Sequence, residues 1–114
     1  MNTTLILSIV LMALISLSDV IAGVRKVPLA KGWAKNAVNA VIFRRNSVVT
    51  HKETQYVAYY DANGFVVLAK RSLGSMKWET RKTRYTGNIK DAHNSISIMV
   101  DGDGYLHMSW DHHN

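Results

Sequence analysis

The chain has 114 residues, with 14 Lys and Arg against 8 Asp and Glu for a formal charge of +6, five histidines and no cysteine. That length allows one small domain or a slice of a larger fold. The lack of cysteine excludes the disulfide framework on which small exported domains usually rely.

The first stretch is not part of a fold. Leu5 to Leu17 is a 13-residue apolar run broken only by Ser8 and Ser16. Val20-Ile21-Ala22 then offers small residues at −3 and −1 for cleavage before Gly23. Length and order are those of a secretory signal peptide over residues 1–22, too short for a comfortable membrane span. Its leading Asn2-Thr3-Thr4 carries no Lys or Arg. An exported chain places the protein outside the cell or in the periplasm, with no stable membrane insertion after cleavage. The remaining residues 23–114 keep all 14 basic residues and lose Asp19, for a charge of +7. Such a balance suits nucleic acid, an anionic membrane or an acidic polymer. Export argues against nucleic acid, and an anionic polysaccharide becomes the expected partner. Nothing in the chain names a cofactor or an oligomeric state.

Gly23 to Asn36 holds the only proline, Pro28, and reads as a leading loop; Val38 to Phe43 is expected to be extended. From Ser47 the pattern is β. Val48-Val49-Thr50-His51 is a short strand, Thr54 to Tyr60 a second, rich in aromatic and β-branched residues. Asp61-Ala62-Asn63-Gly64 has hairpin-turn composition, Phe65 to Arg71 returns, and Ser72-Leu73-Gly74-Ser75 turns again. Lys77 to Thr83 alternates as a solvent-facing outer strand does. Tyr85 to Asp91 crosses to a further hairpin, Ser95–Val100 and Tyr105–Trp110, around Asp101-Gly102-Asp103-Gly104.

Four antiparallel strands in about 40 residues match one blade of a β-propeller. The expected fold is all-β: a blade over residues 46–84 and the opening of a second from His93 to Trp110, about one and a half blades. The turns repeat, Tyr60-Asp61-Ala62-Asn63-Gly64-Phe65 against Val100-Asp101-Gly102-Asp103-Gly104-Tyr105. A free-standing meander or small barrel is the alternative. The chain stops directly after a strand, which reads as a slice of a larger propeller.

Closing the second hairpin on Gly102-Asp103 sets Val100 opposite Tyr105, Ser95 opposite Trp110 and His93 opposite His112, with Asn94, Asp111 and His113 on the other face. Three of the five histidines thus gather at one open end. His107, mid-strand, reads as a half-buried sheet residue. Zinc is the rival use of His93, Asp111, His112 and His113. Adjacent histidines on a strand point to opposite faces, and no metal site is assigned.

Tyr56-Val57-Ala58-Tyr59-Tyr60-Asp61, the Gly74–Trp78 turn, Asp91-Ala92-His93-Asn94-Ser95-Ile96-Ser97, Asp103 to His107 and Trp110-Asp111-His112-His113 together resemble the BNR-repeat-containing secreted proteins. The resemblance spans about Gly32 to Asn114. It implies a β-propeller related in shape to sialidases, some relatives being polysaccharide lyases on uronate polymers such as ulvan. In those lyases two histidines about twenty residues apart line the active site. His93 matches the first; His113, with His112 a close second, matches the other. The lyases also use a tyrosine and an arginine from later blades, which have no counterpart here. Ser72 to Trp78 loosely resembles the Asp-box of sialidase blades but lacks its Asp.

Cleaving a uronate glycoside by β-elimination needs a group to quiet the C5 carboxylate, a base for the C5 proton and an acid for the leaving oxygen. Imidazole titrates near neutral pH and suits the base. The expected roles are His93 as base, His113 or His112 as charge stabiliser, and Asn94 as a donor to the substrate carboxylate. Tyr105, beside a turn, is a candidate for stacking on a sugar ring. A non-catalytic glycan-binding propeller and a sialidase-like hydrolase remain open. A hydrolase would need two carboxylates facing the substrate, and only Asp91 and Asp111 lie near the motif.

Overall fold

The computed structural model describes residues 25–40 and 46–113. The signal peptide read over residues 1–22 lies outside them, as does the latter part of the Val38–Phe43 segment. Val38 to Ala40 within that segment forms a turn and not a strand.

The described residues contain six strands and no helix. β1 (Val48–His51), β2 (Thr54–Tyr60), β3 (Phe65–Ser72) and β4 (Glu79–Thr86) form one antiparallel sheet in sequence order. β5 (Ser97–Val100) and β6 (Leu106–Ser109) form a second, two-stranded sheet. One four-stranded meander followed by the hairpin of the next sheet is the arrangement of a propeller fragment, as the strand and turn pattern predicts.

Alternation explains which faces are buried. Tyr56, Ala58 and Tyr60 of β2 lie on the same face as Val66 and Leu68 of β3, because Tyr60 pairs with Val66 and Ala58 with Leu68. Against that face sit Ile96 and Ile98, with Leu106 and Met108 from β6 beside them. Tyr60, Val66 and Ile96 are completely buried. Burying a side chain of this size contributes about 1.5–3 kcal/mol, so Ile96 and Ile98 are the anchors that hold the second hairpin to the first sheet. The Ile98 N–H adds a 2.7 Å bond to the Asn46 carbonyl.

β4 is the outer strand, exposed along almost its whole length. Its pairing with β3 slips between Phe65 and Val67, where Thr83 to Tyr85 oppose Val66 alone. The Thr83 hydroxyl bridges the bulge by donating to the Val66 carbonyl at 2.8 Å and accepting the Tyr85 N–H at 3.1 Å. The bulge sets Tyr85 against Trp110, ring centroids 5.0 Å apart.

Both hairpins turn the same way. Asp61 and Asp101 each accept, on Oδ1, the N–H groups two and four residues ahead. Gly64 and Gly104 follow with φ of +81° and +92°. This is a three-residue loop closing on a left-handed glycine. It puts Val100 opposite Leu106, Met99 opposite His107 and Ser97 opposite Ser109. The two-residue turn on Gly102-Asp103 is therefore corrected by one position. Glycine supplies the positive φ at 104, not 102, because the Asp101 carboxylate caps the loop there.

Candidate functional site

Continuing that register past the ladder brings His93 level with His113, not His112. The segment between β4 and β5 is built to receive it. Two tight turns follow in succession, Asp91 N–H to the Asn88 carbonyl and Asn94 N–H to the Asp91 carbonyl, each 3.3 Å. Gly87 lets the loop lie on Tyr60, since a Cβ there would stand 2.6 Å from the Tyr60 hydroxyl. That hydroxyl donates to the Asn94 carbonyl at 2.7 Å. From the leading loop, Asn36 Nδ2 donates to the Ile89 carbonyl at 2.7 Å.

The chain after β6 is fastened to the same loop. Asp111, at φ +50°, turns the backbone and accepts the Asn88 N–H on Oδ1 at 2.7 Å. A left-handed Asp is uncommon but tolerated because of its short polar side chain. The Trp110 indole donates to the Thr86 carbonyl at 3.2 Å. The His113 N–H donates to Asn94 Oδ1 at 2.8 Å, and Asn94 Nδ2 donates to the Asn88 carbonyl at 3.3 Å.

These ties bring together Asp91, His93 and His113. His93 Nδ1 lies 2.7 Å from Asp91 Oδ1, and His113 Nδ1 lies 3.0 Å from Asp91 Oδ2. The two rings sit 4.7 Å apart, tilted by 31°. Asp91 Oδ1 also accepts the His93 N–H at 2.9 Å. That backbone bond first, then the His93 ring and the His113 ring, pull the Asp91 carboxyl down from 3.8 to about 2. An ionised carboxylate can only accept. Both imidazoles therefore carry their proton on Nδ1 when neutral, leaving Nε2 on the far edge of each ring as an unprotonated nitrogen. The rings are open to solvent, with 63% of the His93 side chain and 48% of the His113 side chain exposed, while Asp91 beneath them keeps 22%. A carboxylate that fixes tautomer and orientation is how an imidazole is prepared for proton transfer.

The other expected site residues fall elsewhere. His112 is exposed and is not part of the cluster. Asn94 is completely buried. Its amide is spent on Asn88 and His113, so it positions the pair from within rather than reaching for a substrate. Tyr105 is 70% exposed at the closed end of the hairpin, the opposite end from His113. His107 is exposed, not half-buried, and its Nε2 lies 2.7 Å from Asp101 Oδ2. That ring bond, with the Tyr105 and Asp103 N–H groups, holds the Asp101 carboxyl below its ordinary value. Asp111 is engaged by Asn88 and does not join the histidines. What the residue pattern alone did not reveal is Asp91 as the shared acceptor. The Asp-x-His spacing is its signal, because an aspartate readily accepts the N–H two residues ahead.

A blade-like meander, the start of a second sheet and an exposed His–Asp–His cluster at their junction are the arrangement of an all-β, propeller-type fragment. A family model described as BNR repeat-containing family member matches residues 54–114. The chain belongs to the BNR repeat-containing family. No curated protein gives a significant match.

Proposed function

We propose that the protein is an exported carbohydrate-active propeller that cleaves uronate-containing anionic polysaccharide by β-elimination. The observation that carries this reading is the shared Asp91 carboxylate, bonded through Nδ1 to both imidazoles. In the proposed reaction His93 Nε2 takes the C5 proton. The C5–H electron pair becomes the C4–C5 double bond as the C4–O bond breaks, and the leaving oxygen takes a proton from solvent, to which the open site gives access. His113, protonated, stands beside the substrate carboxylate and lowers the cost of the charge that builds at C5. Asp91 offsets the charge of a cationic His113 and holds both rings in place.

The arrangement disfavours the hydrolase alternative. A glycosidase needs a carboxylic acid kept protonated by a raised pKa. Asp91 is shifted the other way, to about 2. The chain's charge of +6 supports a polyanionic substrate for a lyase and equally for a non-catalytic binder. The test is the ultraviolet absorbance of an unsaturated uronate. It should grow when the protein meets a uronate polymer of the ulvan type and stay flat with a neutral glucan. Binding of the uronate polymer with no absorbance would leave a glycan-binding protein and overturn the lyase reading.

A further inference from the structure

Among the described residues three His–Asp contacts occur, two on Asp91 at the open end of the second hairpin and one on Asp101 at its closed end. His107 with Asp101 is a simple pair. At the other end, one ligand-type atom from each of Asp91, His93 and His113 lies within 4.8 Å of the other two. Two imidazole nitrogens and a carboxylate oxygen are the donor set of zinc-class ions; calcium and magnesium prefer oxygen alone. Zinc bonds of about 2.0–2.2 Å place neighbouring donors some 3.3–3.5 Å apart. The observed Nδ1-to-oxygen separations of 2.7 and 3.0 Å, one to each Asp91 oxygen, need to open by about 0.3–0.8 Å. Three protein donors with both rings exposed would leave coordination positions open to water or to a substrate carboxylate, as in reactive rather than structural zinc sites.

We propose that Asp91, His93 and His113 form a binding site for a zinc-class divalent ion, and that the ion switches off the base. This second part rests on the assignment of His93 as the base. In the metal-free state Nδ1 carries the proton and Nε2 the lone pair. An ion on Nδ1 displaces that proton, and the neutral ring then takes one from solvent at Nε2. The nitrogen that would accept the C5 proton becomes a donor. Metal and catalytic base therefore compete for the same ring, at opposite edges.

Cobalt(II) titrated into the protein, read by its visible d–d absorption without any substrate, tests the site. The expected result is saturable binding of one ion per chain, weakened about 100-fold or more in His93→Gln and in His113→Gln. Binding should be unchanged in His112→Gln and His107→Gln, which also report that the fold is intact. Absence of saturable binding, binding that survives both ligand replacements, or loss in the His107 or His112 variants overturns the site. Because cobalt binding is read alone, it stands even if no polysaccharide is cleaved. Cleavage by the metal-free protein that persists with zinc at saturation overturns the switch and leaves the lyase reading intact.

Discussion

Asn94 serves the site from inside the protein. Fully buried, it gives Oδ1 to the His113 N–H, Nδ2 to the Asn88 carbonyl and its own carbonyl to Tyr60. Asn94→Ala strips the first two and leaves buried polar groups unmatched, at a cost of about 1–3 kcal/mol. Urea unfolding should show that loss, and His113 should lose its fixed position over Asp91. The Asp91 carboxyl offers a second residue-level test. Its folded value of about 2 lies below the ordinary 3.8. A depressed acid stabilises the fold above its unfolded pKa, and that contribution is lost as pH falls through the folded value. Stability should therefore decline from near pH 3.8 down to about 2, and the Asp91 carboxyl resonance should titrate near the lower figure. In His93→Ala the midpoint should rise but stay below 3.8, since the backbone N–H of residue 93 still donates.

The second hairpin shows how far a strand pattern can be read and where it stops. That Asp101-Gly102-Asp103-Gly104 turns was legible, as was the likeness to Asp61-Ala62-Asn63-Gly64. The register was not, because two glycines flank Asp103 and either could supply the positive φ. The Asp101 side chain decides it by capping Asp103 and Tyr105. A shift of one residue then exchanges His112 for His113 as the partner of His93. Substitution separates the two glycines. Gly104, at φ +92°, should lose about 1–2 kcal/mol on replacement by Ala. Gly102 has nothing within 4 Å of an added Cβ and no positive φ, so Gly102→Ala should be nearly silent in the same thermal melt. Equal losses at both positions would contradict the three-residue loop.

Across the whole molecule, the strands and turns from residue 47 onward could be read because their alternation is regular and their turns carry Asp, Asn and Gly. The leading segment could be read as a loop but its packing could not, because its order comes from side-chain bonds that leave no period in the sequence. Asn36 holds the Ile89 carbonyl, while Asn39 exchanges bonds with the backbone of Tyr60, and Val38 fills the core between them. Of the site, the two histidines twenty residues apart were legible from the resemblance, while their joint acceptor and the burial of Asn94 emerged only from the fold. The central claim is that His93 and His113, joined by Asp91, form the reactive pair of a uronate lyase. Rates of unsaturated-uronate formation for the protein and its single His93→Ala, His113→Ala and His112→Ala variants test it most directly. The account predicts losses of about 100-fold or more for the first two, in line with removal of a general base or of a charge-stabilising donor, and a change of no more than a few-fold for His112→Ala. Full activity in His93→Ala, or loss in His112→Ala with His113→Ala still active, would contradict it.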